Sequence, residues 1–144
     1  MTNIEFKFLV VKIICFIVLT NSFEVKAYKP ICSINESRDA EIKVATIKTW
    51  EHLYQLFKNY YHCDDGGVAE GFSESVTSLL SVRWQENLNI VNIIKSDQEF
   101  RDFIIRHVDE TVPIERLKLI DSILISCPEG LNDFCLKIEK AATR

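Results

Sequence analysis

Val68 to Trp84 reads VAEGFSESVTSLLSVRW, with Val68, Phe72, Val76, Leu79, Leu80 and Trp84 recurring at intervals of three and four. That is the period of an α helix with one buried stripe; a half-buried strand would alternate every second residue. The other side of this helix carries Glu70, Ser73, Glu74, Thr77 and Ser81. Upstream, Ile47, Trp50, Leu53, Tyr54, Phe57 and Tyr61 keep the same spacing, so a first helix ends near Tyr61. Between the two lies His62-Cys63-Asp64-Asp65-Gly66-Gly67, a turn by composition, since Asp and Gly tolerate the backbone angles that stop one helix and start another. The second helix therefore begins close to Val68.

Downstream, Ser96 with Glu99 three residues later has the form of a capping box, opening a third helix that bears Phe100, Phe103, Ile104 and His107 and stops before Pro113. Ile114 to Ser126 reads as a fourth helix, apolar around most of its circumference and so the most buried. Pro128, tolerated in a first turn, introduces a short fifth helix with Leu131, Phe134 and Ile138 along one side. Residues 28 to about 40, with Pro30, Cys32 and the polar run Asn35 to Asp39, read as an irregular arm, and Glu41 to Ala45 has room for one extended segment. The expected fold is all-α, a compact bundle of about five helices.

The N-terminus has its own pattern. An apolar run from Phe8 to Leu19, interrupted by Lys12, follows Lys7, and Val25-Lys26-Ala27 offers small residues for cleavage after Ala27. The run is shorter than the ~20 residues a membrane span needs, so residues 1–27 read as a signal peptide and 28–144 as a single exported domain. Removing the leader takes three lysines and two glutamates from 17 basic and 21 acidic residues and leaves a formal charge of −5. With no Lys/Arg cluster, a nucleic-acid partner is disfavoured. The expected location is periplasmic or secreted.

An oxidising compartment lets Cys32, Cys63, Cys127 and Cys135 form disulfides, for which spacing alone allows three complete pairings. If Ser126 and Glu129 cap the last helix around Pro128, Cys127 and Cys135 stand ~12 Å apart along it. That is beyond the ~7 Å a disulfide spans, unless Gly130 breaks the helix. The expectation is that Cys32 and Cys63 reach the C-terminal pair. A redox motif would need two residues between Cys127 and Cys135 rather than seven, and a zinc site would need a second close pair beside His62 and Cys63. No pattern calls for a metal or cofactor.

The chemistry-bearing cluster is Asp64, Asp65, Glu70 and Glu74. Paired carboxylates can serve as acid and base on a sugar bond. The plainer reading is that Asp64 or Asp65 caps the helix start and that Glu70 and Glu74 form a solvated face. His107, beside Asp109 and Glu110, has no assignable nucleophile and reads as core-edge packing near a helix end. Asp121 and Lys118 suggest a surface ion pair, and Asn35-Glu36-Ser37 is a glycosylation sequon for a eukaryotic host.

The string from His62 to Glu74, with Arg106-His107-Val108-Asp109 and Cys127-Pro128, resembles an uncharacterised group of small exported bacterial helical proteins. The likeness spans most of residues 50 to 140; it implies a periplasmic helical domain and no activity. Insect odorant-binding proteins are also exported, helical and cysteine-bridged, and the Cys32 to Cys63 spacing suits them. The long gap to Cys127 and the missing adjacent cysteine pairs depart from their pattern. The functional expectation is a binding protein, of inhibitor or immunity type, whose acidic helical face (Asp64, Asp65, Glu70, Glu74) meets a basic protein partner. Alternatives are a cell-wall-directed hydrolase using the paired carboxylates and a carrier of a small apolar ligand between helices.

Overall fold

The computed structural model describes residues 30–82, 88–108, 113–123 and 127–143. The expected signal peptide, Trp84, Asp109, Glu110 and Ser126 lie outside the described residues, as does the side chain of Asp121. Seven α helices are described: α1 (Ile34–Val44), α2 (Trp50–Tyr60), α3 (Gly66–Val82), α4 (Leu88–Ser96), α5 (Gln98–Arg106), α6 (Ile114–Ile123) and α7 (Asn132–Ala142). A 3-10 turn, Tyr61–Cys63, follows α2. The fold is all-α.

The arm expected to be irregular is instead α1. Ser33 caps it by a reciprocal capping box: its hydroxyl accepts from the Glu36 N–H while the Glu36 carboxylate accepts from the Ser33 N–H. Glu41 to Val44 is helical rather than extended, because the turn so started carries Ala40 and Val44 into the core. The helix-forming signal of α1 is therefore a cap and two small apolar contacts, not a long stripe.

Thr49 caps α2, which buries Trp50, Leu53, Leu56 and Phe57. The unexpected α4 buries Ile90, Val91 and Ile94, and together with α1 it raises the expected five helices to the seven described. It also displaces the expected cap of the following helix. The Ser96 hydroxyl donates back to the carbonyl of Asn92, and Asp97 caps α5 by accepting from the Phe100 N–H at 3.0 Å. The same Asp97 accepts from the Tyr54 hydroxyl at 2.9 Å and stands 3.6 Å from the Lys58 ammonium. Burial opposes its charge, yet these donors together hold its carboxyl below the usual carboxylate value.

The core centres on aromatic rings: Phe57 lies 4.8 Å from Phe103 and 5.1 Å from Phe100, and Phe72 meets Phe103 edge to face at 4.9 Å. Such tilted and edge contacts add ~0.5–1.5 kcal/mol per pair beyond the area buried. α3 packs against both α1 and α6, and α7 packs against both α5 and α6. Against α1 the approach is tight: a Cβ on Gly71 would lie 2.4 Å from Val44 Cγ2, so glycine permits that helix contact.

Both disulfides differ from the expected pairing. Cys32 joins Cys63, with Cα atoms 5.0 Å apart, and Cys127 joins Cys135, at 6.2 Å. The escape foreseen at Gly130 is what occurs. Gly130 takes φ +79°, the chain turns there with the Leu131 N–H donating to the Pro128 carbonyl, and α7 begins only at Asn132. Cys127 therefore lies off the helix that carries Cys135. In α6, Ile120 is buried and Leu117 partly so, whereas Ile114 is 61% exposed. Residues 124–126, expected to extend that helix, lie outside the described residues.

Candidate functional site

The turn between α2 and α3 turns one aspartate inward and the next outward. Asp65 marks the helix start: its carbonyl accepts from the N–H groups of Val68 and Ala69, and its exposed carboxylate accepts from the Gly66 N–H at 2.8 Å. Gly66, at φ +51°, makes the bend. Asp64 instead points into the protein, with 7% of its side chain exposed. Of the two capping candidates, Asp65 does that work.

Inside, Asp64 Oδ2 lies 3.2 Å from His107 Nε2 and 3.1 Å from Arg106 Nη2, and His107 Nδ1 lies 2.9 Å from Ser73 Oγ. His107 forms the C-cap of α5 and is buried against Phe103 and Phe72, with ring centroids at 4.3 and 5.8 Å. The carboxylate can only accept, so Nε2 carries a proton; the Ser73 hydroxyl can donate to Nδ1 or accept from it. Burial opposes ionisation of Asp64, yet the hydrogen bond and charge of His107 and the Arg106 guanidinium hold its carboxyl below the usual carboxylate value. Its Oδ1 is buried and has no hydrogen-bond partner among the described residues.

The order serine, histidine, aspartate evokes nucleophilic catalysis, but two features oppose it. Ser73 is buried, 8% exposed, in the interior of α3. There the neighbouring N–H groups are engaged in the helix ladder, leaving no pair of donors for an oxyanion. What the chain does accomplish is to lock the turn, α3 and α5 together. Ser73 is the residue that sequence reasoning missed, because its 34-residue separation from His107 leaves no local signal.

The outer stripe of α3 is acidic. Glu70 and Glu74 are exposed on it, away from the buried Val68, Phe72 and Val76. Glu74 is paired with Arg116 of α6, whose guanidinium also reaches the Thr77 hydroxyl at 3.2 Å, and this hydrogen bond from Arg116 draws the Glu74 carboxyl below the usual range. The structure thus brings Asp65, Glu70 and Glu74 to the surface of one helix and turns Asp64 away from it.

Beside the start of α3 lies an open groove of about 600 Å³ between the turn and α1, reaching from the Cys32–Cys63 bridge to Gly67. His62 lies on its wall, 3.7 Å from Glu36. Among the described residues no group of three His, Cys, Asp or Glu side chains is arranged to hold a metal ion, and no helix is long and apolar enough to cross a membrane. No known family model, curated protein or solved structure matches this chain.

Proposed function

We propose that the protein is an exported, periplasmic or secreted, helical binding protein of the inhibitor or immunity type, which meets a basic protein partner through the acidic outer stripe of α3. The observation that carries this reading is the disposition of α3. Val68, Phe72, Val76 and Leu80 are committed to the core, Ser73 to His107 and Thr77 to Arg116, while the solvent side keeps Asp65 and Glu70, with the exposed Glu74 paired to Arg116. An acidic rim on a rigid helix raises the encounter rate with a positive surface more than it raises affinity. Two disulfides suit an oxidising compartment.

The hydrolase alternative has less support, because Asp64 is engaged internally and Glu74 is neutralised by Arg116. The test is capture from the extracytoplasmic fraction of the producing organism on immobilised protein, beside Glu70→Lys/Glu74→Lys. A basic protein retained by the parent and released by the variant is the expected result. Identical sets of retained proteins on both would overturn the reading.

A further inference from the structure

We infer that the open groove between α1 and the Cys63–Gly67 turn is a binding site for a small zwitterion, a ligand carrying an ammonium and a carboxylate as free amino acids and short peptides do. Glu41 stands three residues after Arg38 and four after Ser37 on α1, so it neighbours both on the helix surface, and all three line the groove. Asp65 lines the opposite wall, and the Cys32–Cys63 bridge fastens the two walls together at one end.

The charges there are unspent. Among the described residues neither Arg38 nor Glu41 forms an ion pair or a side-chain hydrogen bond, and the Asp65 carboxylate accepts only from its neighbour's N–H. A guanidinium and two carboxylates that do not pair with one another, around about 600 Å³, match a ligand with both signs of charge: Arg38 for its carboxylate, Glu41 and Asp65 for its ammonium. Glycine at position 67 keeps this geometry open, since a Cβ there would lie 2.8 Å from Glu41 Oε1 and push the carboxylate aside. Ile34, 80% exposed on the rim, offers an apolar contact for a small side chain. The site shares Asp65 with the acidic stripe but includes neither Glu70 nor Glu74, and a test on Arg38 and Glu41 reads it separately from the partner surface.

Titration calorimetry on the oxidised full chain tests it with L-alanine, L-alanyl-L-alanine, and the dipeptide acetylated at its amine or amidated at its carboxyl. Saturable binding of at least one zwitterion is expected, and which one binds distinguishes a free amino acid from a peptide. Blocking either end of the dipeptide, or esterifying alanine if only the free amino acid binds, should weaken binding at least tenfold. Arg38→Gln should abolish the preference for a free carboxylate and leave that for the ammonium, and Glu41→Gln combined with Asp65→Asn should do the reverse. Circular dichroism checks folding, and the blocked-ligand series on the parent protein decides the matter even if a variant unfolds. No saturable heat from either zwitterion, or equal binding of free and blocked ligands, would overturn the inference.

Discussion

Replacing Asp64 by alanine perturbs the one charged side chain that the α2–α3 turn drives into the core. Two interactions are lost, and they are unequal. His107 and Asp64 are both nearly enclosed, with side-chain exposures of 5% and 7%, whereas Arg106 is 62% exposed. Breaking a buried, charge-assisted hydrogen bond and stranding the histidine costs about 2–4 kcal/mol. The exposed arginine adds less than ~1 kcal/mol. Urea unfolding without reductant should show Asp64→Ala with a midpoint lowered by roughly 1–2 M, Arg106→Ala nearly unchanged, and Ser73→Ala lower by about 1 kcal/mol. In a double-mutant cycle Asp64 and His107 should couple by about 1–3 kcal/mol. The pH dependence has a definite sign. Because the Asp64 carboxyl is lowered from 3.8 on folding, its contribution is fully present above about pH 4 and is lost as pH falls through the lower folded value. Asp64→Asn should therefore flatten the loss of stability below that pH. If Asp64→Ala unfolds with the parent, or Arg106→Ala costs as much as Asp64→Ala, the inward aspartate is not what holds the turn.

Other outcomes follow from the packing and the bridges. Gly71→Ala should lower stability by ~1–3 kcal/mol in a thermal melt, and Val44→Ala added to it should restore part of the loss, because the new methyl collides with Val44. Non-reducing peptide mapping should recover Cys32 linked to Cys63 and Cys127 linked to Cys135, and any crossed peptide would refute the connectivity. In the chain-entropy picture, closing the 31-residue separation stabilises by ~3.7 kcal/mol and the 8-residue one by ~2.5, so the Cys32/Cys63 double serine variant should be the weaker of the two.

How much of this was legible in the sequence depended on whether each feature rests on local or distant residues. The 3.6-residue stripes of α2, α3 and α5 were readable because many apolar side chains repeat the period. α1 was not, since its buried face is only Ala40 and Val44 and its exposed Ile34 and Ile42 blur the stripe. Its capping box, Ser33 with Glu36, was nonetheless present as a local signal. Asp97 displaced Ser96 as a cap because it also serves Tyr54 and Lys58, two residues far away in sequence. The disulfides turned on one residue: Gly130 in a left-handed turn removes the helical spacing that would have kept Cys127 and Cys135 apart. At the candidate site, the solvent-facing placement of Glu70 and Glu74 followed from periodicity. The choice between Asp64 and Asp65 as cap, the Ser73–His107 contact and the Arg116–Glu74 pair required the tertiary fold.

The proposed function is tested most directly by association kinetics with the basic partner recovered by capture, followed at two ionic strengths. The account predicts that Glu70→Lys/Glu74→Lys slows association and weakens its salt dependence with little change in circular dichroism. Arg116→Gln, which releases Glu74 from its internal cation, should speed association. Association rates and salt slopes that are the same for the parent and both variants would contradict the acidic stripe of α3 as the contact surface.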